Sequence, residues 1–337
     1  MERGGRENMR VFDLHCDTLD RLCLNDCAAY PDFAQQNAKE GIPKERLASL
    51  RDNDAHVSLD RMQAQAWCQC FAIFIPDTLP PDEAWKLFKH VNAYFAEQML
   101  AHGDLVWQVR RAHGIDEALA AGRRAALLTV EGASFLNDSF KHIDELTQAG
   151  VQMLTLTWNA QNALASGSEA QGGLSFFGRA VVYDLEERRI IIDASHLNDE
   201  SLTDLLRCAR RPFVASHSNA RSICGHPRNL SDYQFKAIAE RGGIVGLNLY
   251  TGFLIDEKRE PTPADVLRHI EHWLKLGGQD AIALGSDYDG ADVPLWLKGC
   301  EKLENLYEHV TAHFGSDLAD KLFFTNAYTF FKNALQP

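Results

Sequence analysis

Eight short apolar runs, separated by longer polar or amphipathic stretches, recur along the 337 residues and limit what this chain can fold into. They cover residues 11–14, 67–75, 125–130, 151–156, 190–193, 213–215, 244–249 and 281–284. Runs this short suit strands buried on both faces rather than helices. The stretches between them read mostly as helices. Residues 82–111 carry Trp85, Phe88, Val91, Phe95 and Leu100 on one apolar stripe. Further helices are expected at 138–148, 177–187, 199–210, 231–240, 263–276 and 301–313, with more in the C-terminal segment. Strands alternating with helices imply parallel βαβ units, and eight such units imply a closed (β/α)8 barrel of the α/β class. An open, doubly wound sheet is the alternative that the pattern leaves standing. We expect one barrel domain over 1–337 with a polar insertion at 26–59, after the first strand.

Polar residues fall at telling places in this pattern. His15 and Asp17 follow the first strand, Glu131 the third, His196 the fifth, His217 the sixth and Asp287 the eighth. In a parallel barrel these positions all open on the C-terminal rim. His15 and Asp17 stand two apart, so at strand spacing both point to one side. Mixed imidazole and carboxylate donors suit borderline divalent cations. Each residue also has a structural reading: Glu131 as a helix-terminal acid, His196 and His217 as core or capping histidines. Asp287 is a candidate proton-transfer group, with Asp289 as its rival. Arg228 is either a clamp for a substrate carboxylate or half of a surface ion pair. The polar, glycine-rich stretch 161–173 reads as a functional loop.

Other classes are disfavoured. A net charge of −13 argues against a nucleic-acid partner, whose phosphates require a basic face. The glycine-rich stretch lacks the Gly-Lys-Ser/Thr ending of a phosphate loop, and no Gly-x-Ser-x-Gly elbow is present. No apolar run is long enough to span a membrane. The first residues lack the apolar core of a signal peptide, so the expectation is a cytoplasmic protein whose eight cysteines are reduced and structural. Cys68 and Cys70 alternate within one strand and read as small core residues.

The motifs, taken in order, resemble those of the membrane (renal-type) dipeptidase family of the amidohydrolase superfamily, as a bacterial-type soluble member. They are Phe12-Asp13-Leu14-His15-Cys16-Asp17-Thr18, Val130-Glu131-Gly132, Asp193-Ala194-Ser195-His196, Ser216-His217-Ser218-Asn219-Ala220, Arg228-Asn229-Leu230 and Gly285-Ser286-Asp287-Tyr288-Asp289-Gly290. The resemblance implies two Zn2+ ions, one held by His15 and Asp17, the other by His196 and His217, with Glu131 bridging. It implies a metal-bridging hydroxide that cleaves a dipeptide, with a D-residue tolerated on the C-terminal side. Asp287 would move the proton and Arg228 would bind the C-terminal carboxylate. Animal members carry a His after the fourth strand, where this chain has Trp158. Trp158 and Asn159 are expected there in the substrate pocket, where one of them or a neighbour takes over the task of that His, and Asn248 and Tyr250, ending the seventh strand, line the pocket too. A homodimer is also implied. The Trp158 departure keeps a second reading alive, an amidohydrolase acting on a lactam, cyclic amide or N-acyl amino acid. A non-catalytic binding barrel is the third.

Overall fold

The computed structural model describes residues 9–25, 39–137 and 139–337. Its strands are β1 (Arg10–Asp13), β2 (Ala66–Phe74), β3 (Val106–Gln108), β4 (Arg124–Glu131), β5 (Val151–Thr155), β6 (Ile191–Asp193), β7 (Val214–Ala215), β8 (Ile244–Leu247) and β9 (Ile282–Leu284). β1, β2 and β4 to β9 form a closed ring of parallel neighbours: β2 pairs with β4, and β9 returns to β1. The open sheet is thereby excluded, and the fold is a (β/α)8 barrel. Each of the eight expected strands is present.

β3 was not expected. It lies outside the ring and pairs with the start of β4. The helix expected over 82–111 runs only Pro81–Ala101. Leu100, assigned to its apolar stripe, is 86% exposed. The chain turns at His102–Asp104, and Val106 then buries as a strand residue. The other expected helices lie close to their expected ranges and carry local start signals. Ser231 caps Asp232–Glu240 in a reciprocal box with Gln234, and before Pro263–Lys275 the Asp265 carboxylate reaches back to accept from the amide and hydroxyl of Thr262. Asn198 accepts the Ser201 amide at the start of Asp199–Cys208. Of the expected insertion, residues 26–38 lie outside those described.

Strand alternation sorts the barrel interior by height. Leu127, Met153, Ile191, Val214 and Ile244 pack with Phe12, Cys68 and Cys70 in one buried cluster, closed below by Phe331. Two residues further along the same strand faces stand Thr129, Thr155, Asp193, Ser216 and Gly246. The apolar lower interior thus passes into a polar upper one, directly beneath the rim. The seven cysteines among the described residues are free, and Cys27 lies outside them. Among the described residues, no helix is long and apolar enough to cross a membrane.

Candidate active site

Glu131 ends β4, and His15, His196, His217 and Asp287 follow the ends of β1, β6, β7 and β9. The barrel brings them together. His15 Nε2 lies 3.2 Å from Asp17 Oδ2 and 3.7 Å from Glu131 Oε2. Glu131 Oε1 lies 2.6 Å from His196 Nε2 and 3.4 Å from His217 Nε2. The two Nε2 atoms are 2.9 Å apart. One carboxylate thus faces histidines through both of its oxygens, and with His15 and His217, whose rings lie 3.9 Å apart, it forms one compact donor group. His15, Asp17 and Asp287 also form a donor group, with Asp287 Oδ1 at 3.9 Å from His15 Nε2. His196 and Asp287 have φ of 73° and 60°, in the left-handed region that non-glycine residues seldom occupy. Backbone held that way marks positions where the surroundings impose a geometry.

Buried polar partners fix these side chains. Asp193 accepts from the Ser195 and Ser216 amides at 3.0 and 2.9 Å, and from the Thr155 and Ser216 hydroxyls at 2.8 and 2.6 Å. Ser216 Oγ in turn lies 2.7 Å from His217 Nδ1. Asp13 accepts from the amide and hydroxyl of Ser286 and from Gln69, tying β1 to β2 and to the loop after β9. Asn248 donates to Asp287 Oδ2 at 2.8 Å. Asp289 is placed differently from its rival. Its oxygens accept from Thr18, Arg21 and the backbone amides of His56 and Val57. It therefore clamps the segment around His56 onto the barrel, with both oxygens engaged.

Charge crowds this site. Burial pushes the Glu131 carboxyl up to about 7 and the Asp17 carboxyl up to about 6. Burial would lower the His15 imidazole, but Asp17 and Glu131 outweigh it and hold it well above its ordinary value. His196 and His217 go the other way, pushed well below by burial and by the nearby cations Arg228 and His15. Burial also raises Asp287. Two neutral imidazoles beside three crowded carboxyl groups form a set of lone pairs aimed inward.

Above them opens a cavity of about 1210 Å³. Glu131, His196 and Asp287 form part of its floor, while Phe74, Trp158, Tyr250 and Phe253 are among its walls. Trp158 meets Phe74 edge to face at 5.1 Å, and Tyr250 meets Phe253 at 4.8 Å. Asn159 also lines the cavity, with its side-chain oxygen 2.8 Å from His196 Nδ1. Arg228 enters from the loop after β7 and is 6% exposed. Its Nε and Nη2 are buried without a hydrogen-bond partner. Burial lowers the guanidinium only to about 10, so it stays charged at neutral pH. A second cleft, of about 490 Å³, lies at the other end of the barrel against Ile191, Ile244 and Phe330. None of the converging donors lines it.

The model of the membrane dipeptidase family, peptidase family M19, matches residues 6–335 of this chain. The chain belongs to that family. A metallo peptidase from Rhodobacter sphaeroides, solved with a phosphinate mimic of the dipeptide L-Ala-D-Ala, is 25% identical with a TM-score of 0.85, over 97% of this chain and 100% of that one. A second solved M19 metallo peptidase, dipeptidase AC, is 27% identical with a TM-score of 0.85, over 98% and 100%. A Klebsiella pneumoniae protein described only by its position in a pqqA 5' region is 33% identical over 224 residues, 63% of this chain and 83% of that one. Membership of M19 makes this chain a metal-dependent dipeptidase by class.

Several features of this site escape sequence reading. Asp193 and Ser216 stood inside quoted motifs without a role, because their partners come from neighbouring strands. Asn248 read only as a pocket residue. Gly290 gave no signal beyond its place in a motif. A Cβ there would sit 2.0 Å from Asp17 Oδ2 and 3.0 Å from Asp287 Oδ1. Asp287 is tied to Asn248 and Asp17 to His15, so neither withdraws freely. Gly290→Ala is expected to lower kcat/KM for a dipeptide about 100-fold, since misplacing reacting groups by about 1 Å has that effect. Steady-state kinetics on a variant with wild-type circular dichroism check this. Activity within threefold of wild type would mean the loop yields instead.

Proposed function

We propose that this M19 enzyme is a binuclear zinc dipeptidase. His15 and Asp17 would hold one ion, His196 and His217 the other, and Glu131 would serve both. The observation that carries this reading is the two-sided Glu131 carboxylate, with one oxygen toward His15 and the other toward the His196–His217 pair. The residues fit the ions chemically. Asp17 Oδ1 is buried with no hydrogen-bond partner, and buried carboxylates this close call for positive charge. Imidazole nitrogens mixed with carboxylate oxygens are zinc donors. When bound, the two ions would make water acidic near neutral pH and polarise a carbonyl oxygen.

The remaining work falls to this chain's side chains. Asp287, hydrogen-bonded by Asn248, takes the proton of the attacking water and passes it to the leaving amine nitrogen. Arg228 takes the free C-terminal carboxylate of the substrate, which fills its unpaired donors. Trp158 and Tyr250 wall the pocket. The L-Ala-D-Ala mimic in a solved relative supports a D-residue on the C-terminal side. We extend the reading to one barrel domain, on the single closed ring of strands, to a cytoplasmic setting, on the seven free cysteines among the described residues, and to a homodimer, on the resemblance.

Metal removal tests the proposal. Exhaustive chelation is expected to abolish dipeptide hydrolysis, and about two Zn2+ per chain to restore it. Binding should release protons at neutral pH, because His15 holds one in the free site and Glu131, near 7, is partly protonated there. The sign follows: as pH falls through 7 and then 6, Glu131 and Asp17 also take up protons, so affinity falls by about tenfold per unit for each proton displaced. Calorimetry in buffers of different ionisation enthalpy reads that release. A chain that takes up no zinc, or that hydrolyses dipeptides at full rate without it, would overturn the reading. Turnover of N-acyl amino acids with none of dipeptides would instead move the substrate class.

A further inference from the structure

The two histidines assigned to the second ion are backed by different chemistry. His217 Nδ1 meets Ser216 Oγ, whose own proton is committed to Asp193 at 2.6 Å. That chain belongs to β6, β7 and the residues just beyond them, all buried. His196 Nδ1 instead meets Asn159 Oδ1 at 2.8 Å. Asn159 sits on the loop after β5, and the same oxygen accepts from Ser168 Oγ at 3.1 Å. The loop folds back tightly here. The Glu169 amide donates to the Asn159 carbonyl at 2.9 Å, and a Cβ on Gly167 would lie 2.0 Å from the Trp158 carbonyl oxygen. Trp158, Asn159, Ser168 and Glu169 all line the cavity.

A histidine that offers Nε2 to a cation must carry its proton on Nδ1, and that proton needs an acceptor. His196 Nε2 is the atom facing Glu131 and His217. The amide oxygen of Asn159 supplies the acceptor, and nothing else is hydrogen-bonded to His196 Nδ1 among the described residues. His196 also sits at a φ of 73°, so its backbone alone gives it no ordinary resting geometry. We infer that Asn159 is a positioning residue, which holds His196 in the tautomer and orientation that bind the second ion and ties that ion to the cavity-lining loop at 158–169. The inference rests on the two-ion reading above. It gives the residue beside Trp158 a task directed at His196 rather than at the substrate.

Metal binding, rather than turnover, is the measurement that decides it. Zinc per chain after dialysis, and stepwise zinc affinities from competition with a chromogenic chelator, are read for wild type, Asn159→Leu and Asn159→Asp. Removing an outer partner of a ligating histidine weakens metal binding about 10–100-fold. The leucine variant is therefore expected to hold one ion as wild type does and the other about 10–100-fold more weakly. The aspartate variant keeps an acceptor and is expected to hold both. Asn159→Ala carries the same expectation as the leucine variant, should that one not fold. Two ions held at wild-type affinity by Asn159→Leu, with only KM raised, would make Asn159 a substrate contact and overturn the inference. Equal loss of both ions in the leucine and aspartate variants would reduce it to a support of the loop and overturn it too. If wild type itself takes up no zinc, the two-ion reading fails first, and that result is visible before any variant is compared.

Discussion

Asp287→Asn is expected to keep both metal ions and to lose about 1,000-fold in kcat, within the 10²–10⁴ range typical of a positioned acid–base group. The substitution preserves shape and the contact at Asn248, but an amide cannot accept the proton of the attacking water. Geometry also offers Asp287 a different role. Its Oδ1 stands 3.9 Å from His15 Nε2, and with His15 and Asp17 it forms a possible donor group. If Asp287 were a ligand, the variant would lose zinc as well as rate. Metal content and kcat measured on one preparation therefore separate the two roles. Retained zinc with lost turnover supports proton transfer, and lost zinc makes Asp287 a ligand. Turnover within tenfold of wild type would remove it from the chemistry. Asp289→Asn makes the contrast. Its oxygens hold Thr18, Arg21 and the His56–Val57 backbone, so that change should act on stability and leave less of a mark on the proton-transfer step.

That contrast shows where sequence reading stops. The ring of strands was legible because each barrel strand is buried on both faces and reads as a continuous apolar run. The proposed ligand set stood out because every member lies just beyond such a run. Choosing between Asp287 and Asp289 was not, since both follow β9 within five residues. What separates them is a partner 39 residues away for Asp287 and partners more than 230 away for Asp289. β3 was missed for a local reason. It is three residues long, with Trp107 38% exposed, and it follows a helix whose last expected apolar position proved to face solvent. Asn159 was legible as a pocket residue from its place after β5. Its bond to His196 depends on how the loop returns, which the spacing of residues does not encode.

Arg228→Met is the second change with a large expected effect, and its mark should fall on substrates rather than on metal. The guanidinium is 6% exposed, with Nε and Nη2 buried and unpartnered. Leaving a buried donor unmatched costs about 1–3 kcal/mol, so the free enzyme holds this group at an expense that an incoming acceptor relieves. A substrate carboxylate can meet it through two parallel charge-assisted bonds. Methionine fills similar volume without donors. For a dipeptide with a free C-terminus, kcat/KM is expected to fall about 100- to 1,000-fold, equivalent to roughly 3–4 kcal/mol of lost binding in the transition state. A C-terminally amidated dipeptide lacks the anion, so wild type should already cleave it poorly and the variant should do little worse. The double comparison, two enzymes against two substrates, isolates the contact from any general damage. Arg228→Lys keeps the charge but not the planar fork, and is expected to recover only part of the loss. If wild type cleaved the amide as fast as the free acid, the unpaired guanidinium would have some other partner, and the substrate's C-terminal carboxylate would not be what this pocket reads.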